Sequence, residues 1–118
     1  MSERYLIVDA ARISRLRLRA ALESLGPCEI LEVPCLKLAR EALQAEGWTA
    51  VFIDPLLPDG DGLSLLEQHR ARAPLTFVHT HRVTEAIRER AALSSAGFLE
   101  KPLAATSLRA QLSALIAA

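Results

Sequence analysis

Aromatic side chains are scarce in this sequence, with three Phe, one Trp and one Tyr among 118 residues. So few rings leave no stacking platform for single-stranded nucleic acid. Neither sign of charge is in excess, because fourteen Lys and Arg offset fourteen Asp and Glu. A neutral chain lacks the broad basic surface that draws proteins to nucleic acid or anionic membranes. No apolar run approaches the roughly 20 residues that a membrane-spanning helix requires. The N-terminus, MSERYLIVD, reads straight into a strand without a signal segment, so a cytoplasmic protein is expected. Cys28 and Cys35 are too few for a zinc site and read as reduced packing thiols. The glycines at 26, 47, 60, 62 and 97 form no glycine-rich turn after the first strand, so a dinucleotide would lack its cradle. No serine stands on a strand-to-helix elbow, which argues against Ser/His/Asp hydrolysis.

What is present is a globular balance, 51% hydrophobic and 24% charged, in a length that suits one domain over residues 1–118. Five short apolar runs alternate with five helical segments. The runs are YLIVD (5–9), CEILEV (28–33), AVFID (50–54), LTFVH (75–79) and GFLE (97–100). The first, third and fourth are nearly continuous in apolar residues, as strands buried on both faces of a parallel sheet are. CEILEV alternates, as an edge strand does. Helical spacing joins Leu18, Leu22 and Leu25; Ala39, Ala42 and Leu43; Leu63, Leu65 and Leu66; Ile87 and Ala91; and Leu108, Leu112, Leu115 and Ile116. Strict alternation of strand and helix predicts one parallel sheet covered on both faces. Ligands of such sheets bind outside the carboxyl ends of the strands.

Two of those strand ends are acidic. Asp9 closes the first run, and Asp54 closes the third within FIDPLLPDGDG, residues 52–62. Carboxylates at neighbouring strand mouths suggest a site for a hard divalent cation. A metal-dependent phosphohydrolase using Asp54 as nucleophile is disfavoured, since neither a general acid/base nor a substrate cap is visible.

The whole chain resembles the receiver domain of two-component response regulators. The resemblance is carried by Asp54-x-x-x-Pro58-x-x-Asp61-Gly62, by LIVD (6–9) followed by Arg15, and by GFLEKP (97–102). It implies a flavodoxin-like (βα)5 doubly wound sheet, strand order 2-1-3-4-5, and a signalling role rather than enzymatic turnover. It also implies Asp54 as phosphoacceptor and Lys101 as the cation that pairs with it. Mg²⁺ would be held by Asp9, Asp54 and the backbone carbonyl of Leu56.

The pattern is broken in three places. Receivers usually carry two adjacent acids after the first strand, and here the pair is Asp9-Ala10. With Arg15 fixing the register, the direct metal ligand is the missing one, so Mg²⁺ binding is expected to be weak or absent. Five residues beyond Pro74, where a Ser or Thr normally bonds the phosphoryl group, stands His79. Thr80 is one residue late, and a shift of one reverses the face of a strand. His79 is expected to lie beside Asp54 and to have its pKa raised by the carboxylate. Pro55 directly follows Asp54 and removes one backbone donor. Phe98 falls at the position of the aromatic switch residue.

The resemblance also names partners. A sensor histidine kinase or phosphotransfer protein would meet the first helix, where Arg12, Arg15 and Arg19 form a basic stripe. A downstream protein would meet the face of the fourth helix, fifth strand and fifth helix, which includes Arg88, Arg90, Phe98 and Glu100 in some combination. A homodimer is a further option. The expected function is therefore phosphorelay signalling through Asp54, with weak Mg²⁺-dependent phosphorylation, by a receiver standing without an output domain. The alternative is a phosphorylation-independent adaptor of the same fold.

Overall fold

A computed structural model of the chain describes residues 2–69, 75–81, 84–102 and 108–111. Five parallel strands form the sheet: β1 (Glu3–Val8), β2 (Cys28–Val33), β3 (Ala50–Ile53), β4 (Leu75–Thr80) and β5 (Gly97–Glu100). Their spatial order is β2-β1-β3-β4-β5, the doubly wound order anticipated from the sequence. All four residues of β3 are buried, whereas the edge strand β2 alternates. Two-residue segments, Leu56–Leu57 and Gly60–Asp61, pair antiparallel in the loop after β3.

The helices are α1 (Arg12–Glu23), α2 (Leu36–Ala42), α3 (Gly62–His69) and α4 (Glu85–Leu93), with further helical residues at 108–111. Helix α2 stops at Ala42, so Leu43, which helical spacing had joined to it, caps its end. The expected Leu112, Leu115 and Ile116 lie outside the described residues. Helix α1 has Ala11 at its N-cap, which offers no side-chain cap, and no acid in its first turn. Its stability comes instead from burying Leu18, Ala21 and Leu22.

Alternation along the strands divides the core into two layers. Tyr5, Ile7, Ala50, Phe52, Phe77 and Leu99 pack with Leu18 and Leu22 of α1 and with Leu108. On the other face Leu6, Val8, Val51, Ile53 and Val78 pack with α2, α3 and Ala91 of α4. The rings of Phe52 and Phe77 stack at 5.1 Å, and Tyr5 meets Phe52 edge-on at 6.1 Å. Truncating Phe52, which is fully buried, to alanine would cost about 3–5 kcal/mol. Gly97 serves the same cluster: a Cβ there would stand 2.7 Å from the Phe77 ring. The layering fixes all five strand mouths along one edge, and the acidic residues lie there.

Candidate functional site

Asp9 and Asp54 each follow the last residue of a strand, and the Val8–Ile53 register makes those ends neighbours. Both continue the sheet's hydrogen bonding for one more residue. Asp54 N–H donates to the Val8 carbonyl at 2.9 Å, and Asp9 N–H to that of Val33 at 3.1 Å. Lys101 follows β5, and its N–H donates to the Thr80 carbonyl at 2.9 Å. Its side chain then crosses the mouth of the sheet. The ammonium lies 2.6 Å from Asp9 Oδ2 and 2.7 Å from Asp54 Oδ2. All three residues are buried.

The other carboxylate oxygens are also occupied. Asp9 Oδ1 accepts the Ala11 N–H at 2.9 Å, and Asp54 Oδ1 accepts the Leu56 N–H at 2.8 Å. Buried charges persist only when paired and hydrogen-bonded in this way. Two carboxylates against one ammonium leave the cluster with one net negative charge. Asp54 is thus a carboxylate held by one cation and one backbone amide, an arrangement that can stabilise charge developing at its oxygens.

The loop after Asp54 is fixed at several points. Asp59 accepts the N–H groups of Leu36 and Lys37 at the start of α2, at 2.8 and 3.0 Å. These bonds hold its carboxyl below the usual range. Asp61 Oδ1 accepts the Leu63 N–H in the first turn of α3, while its Oδ2 meets the Arg90 guanidinium of α4. Arg90 also pairs with Glu67, and the hydrogen bonds it donates to the two acids push its pKa up. Gly62 packs directly on the Asp54 carbonyl, where a Cβ would collide with backbone.

His79 departs from expectation. Its imidazole makes no hydrogen bond to Asp54, and its buried Nε2 has no partner among the described residues. Its pKa is not raised but lowered to about 4, first by burial and then by the Lys101 charge, which outweigh Asp54. Lys101 takes the place beside the carboxylate that would have favoured a protonated ring. Phe77 belongs to the α1-side core and Val78 to the other, so alternation sends His79 and Thr80 to opposite faces. Both are buried. Phe98 is half-buried, with the Arg88 guanidinium 4.9 Å from its ring centroid.

The arginine stripe on α1 is also altered. Arg15 and Arg19 turn inward to share Glu32 of β2, and Arg15 Nη1 donates to the Asp9 carbonyl at 2.7 Å. Only Arg12 of the three is exposed, the other two being half-buried. A cavity of about 270 Å³ lies between α1 and the ends of β4 and β5, lined by Ser14, Arg17, His79, His81 and Lys101 among others. Sequence reasoning missed the roles of Asp59, Glu32 and Glu67, whose partners are distant in the chain.

Among the described residues no group of three or more His, Cys, Asp or Glu side chains is arranged to hold a metal. Ala10 contributes no ligand, and Lys101 already bridges the two acids that remain. Among the described residues, no helix is long and apolar enough to cross a membrane.

The family model of the response regulator receiver domain matches residues 5–113. The chain belongs to that family. It is a receiver domain of two-component signalling. Among solved structures it is similar to a CheY-like response regulator receiver domain from Methylobacillus flagellatus, with 27% identity and a TM-score of 0.82. That match covers 98% of this chain and 99% of the other. A two-component response regulator from Clostridium difficile matches at 23% identity and a TM-score of 0.88, covering 98% of this chain and 96% of that one. A CheY-like receiver domain protein from Methanospirillum hungatei matches at 21% identity and a TM-score of 0.86, covering 96% and 92%. The latter two likenesses establish the fold.

Proposed function

We propose that this receiver domain takes a phosphoryl group on Asp54, supplied by a sensor histidine kinase or phosphotransfer protein, in a weak Mg²⁺-dependent reaction. The observation that carries the reading is the 2.7 Å contact between Lys101 Nζ and Asp54 Oδ2 at the sheet mouth. In the transfer, an Asp54 oxygen attacks phosphorus, the bond from phosphorus to the donor breaks, and the donor atom keeps that electron pair. Lys101 and the Leu56 N–H are the cation and the donor close enough to balance charge on the new acyl phosphate. Any Mg²⁺ binding rests on Asp9, Asp54 and the Leu56 carbonyl, and is weak for want of a ligand at Ala10. His79, Thr80 and Phe98 border the pathway by which the modified state reaches the face of α4, β5 and residues 108–111. A downstream protein, or a second copy of the chain, binds there.

A second reading is favoured by one observation. Lys101 is already satisfied by two carboxylates, and His79 is held neutral and offers Asp54 no hydrogen bond. That is a closed site, suited to a phosphorylation-independent adaptor. Intact-mass spectrometry after incubation with a small phosphodonor, with and without Mg²⁺, separates the two. A gain of one phosphoryl group in the parent and none in Asp54→Asn supports phosphotransfer. No gain in either protein, with a kinase-derived phosphodonor included, assigns the adaptor role.

A further inference from the structure

A short series of direct contacts joins Asp54 to helix α4. Asp54 Oδ1 accepts the Leu56 N–H at 2.8 Å. Leu56 is the ladder partner of Asp61 in the small antiparallel pair. The Asp61 carboxylate in turn meets Arg90 of α4. The rest of the loop is anchored, with Asp59 on the amides that open α2 and Gly62 N–H on the Pro55 carbonyl at 2.9 Å. A loop tied at those points has little room to absorb a change at Asp54 by local fraying. Displacement of Leu56 is passed to Asp61 across the ladder.

Helix α4 is lightly held at the receiving end. Ala91 is its one buried residue, and Leu93 is 79% exposed. A groove of about 650 Å³ runs along it, lined by Ala10, Pro55, Leu57, Ile87 and Arg90 among others. Arg90 spans that groove to Asp61 and Glu67.

We infer that Arg90 is a positioning residue that couples Asp54 to α4 by holding Asp61. The inference takes from the proposed function only that Asp54 is where the chemical change occurs. Its test needs no phosphorylation, so it stands or falls separately from that reading. Replacing Asp54 with asparagine alters the charge at the carboxylate, and amide chemical shifts report what moves.

In the otherwise unmodified chain, Asp54→Asn is expected to shift the amides of Leu56, Asp61 and residues 87–91. In an Arg90→Gln background the same change is expected to move Leu56 as before. The response of α4 should fall by about threefold or more, which is the non-additivity that marks direct coupling. Glu67→Gln leaves the Asp61 contact in place and is expected to leave the α4 response intact. Arg90→Lys, which keeps the charge and loses the planar fork, carries the same reading if the glutamine variant unfolds. An α4 response undiminished by the Arg90 variants, absent in the parent, or equally reduced by Glu67→Gln overturns the inference.

Discussion

The ammonium of Lys101 lies 2.6 Å from the carboxylate of Asp9, a residue 92 positions earlier in the chain. The same nitrogen reaches Asp54, so one lysine closes a site whose acids come from two different strand ends. This makes the cluster structural as well as chemical. Lys101→Met would leave two neighbouring buried carboxylates without their shared cation, and breaking such a pair costs about 3–5 kcal/mol. Asp54→Asn leaves Lys101 paired with Asp9 and the Leu56 N–H still able to donate, so its cost should stay below about 2 kcal/mol. Urea denaturation of both variants at pH 7 checks the order. A larger loss in Asp54→Asn than in Lys101→Met would show that Asp54 is the structural centre.

Ala10 is the second test of the cluster. It is exposed, beside Asp9, and borders the groove that contains Leu56. Ala10→Asp is expected to tighten Mg²⁺ binding by about tenfold or more, because a hard cation gains a third carboxylate. NMR titration of the amides of Asp9, Asp54 and Leu56 measures it. Tight binding in the parent, unchanged by the substitution, would contradict the assignment of Ala10 to the ligand position.

His79 gives the stability a pH dependence. The folded chain holds the imidazole neutral down to about pH 4, while the ordinary value of 6.5 applies to the unfolded chain. Between those values the unfolded state binds more protons, so stability falls as the pH drops through that window. At about 1.4 kcal/mol per unit, the loss approaches 3 kcal/mol by pH 4. Above pH 6.5 this contribution is complete and flat. His79→Thr should remove that share of the acid slope, measured by urea denaturation from pH 8 to 4. Ring-proton NMR should show His79 uncharged at pH 6.

These residues also show what the sequence discloses. Asp9 and Asp54 were legible because each ends a continuous apolar run, and a parallel sheet puts such ends together, whereas Lys101 came from the family resemblance of GFLEKP. The parallel sheet covered on both faces followed from the alternation of strand and helix, and its strand order from the family resemblance. The charge state of His79 was not legible, because it depends on how deeply the ring is buried and on Lys101 taking the place beside Asp54. The α1 stripe misled for a related reason. Helical spacing shows that Arg15 and Arg19 share a face, but not that Glu32 of β2 lies under it. The Asp61–Arg90 contact joins residues 29 apart on a loop and a helix, where no periodicity links them.

Gly62 provides the last test, because it links the loop to the backbone of the phosphoacceptor candidate. Its N–H donates to the Pro55 carbonyl at 2.9 Å, which draws the start of α3 back against β3. A Cβ at this position would collide with the Asp54 carbonyl and crowd Ile53 Cγ1 and the Pro55 Cα, each at 3.1 Å. Two of those three neighbours are backbone atoms, so no side-chain rotation relieves the contact. Gly62→Ala must therefore displace either α3 or the Asp54 peptide, at the roughly 1–3 kcal/mol typical of overpacking. Conformational strain at the glycine is not the cause, since Gly62 is not among the positive-φ residues. The expected signature is a lowered urea midpoint, together with amide shifts at Asp54 and Leu56 larger than those at Gly60. Gly26→Ala is the contrast, because a Cβ there meets nothing within 4 Å but the φ of +140° disfavours a side chain. Its amide shifts should stay at the α1–β2 turn, and Asp54 should not respond. An unperturbed Asp54 amide in Gly62→Ala would mean that the loop is less tightly packed on the site than this geometry requires.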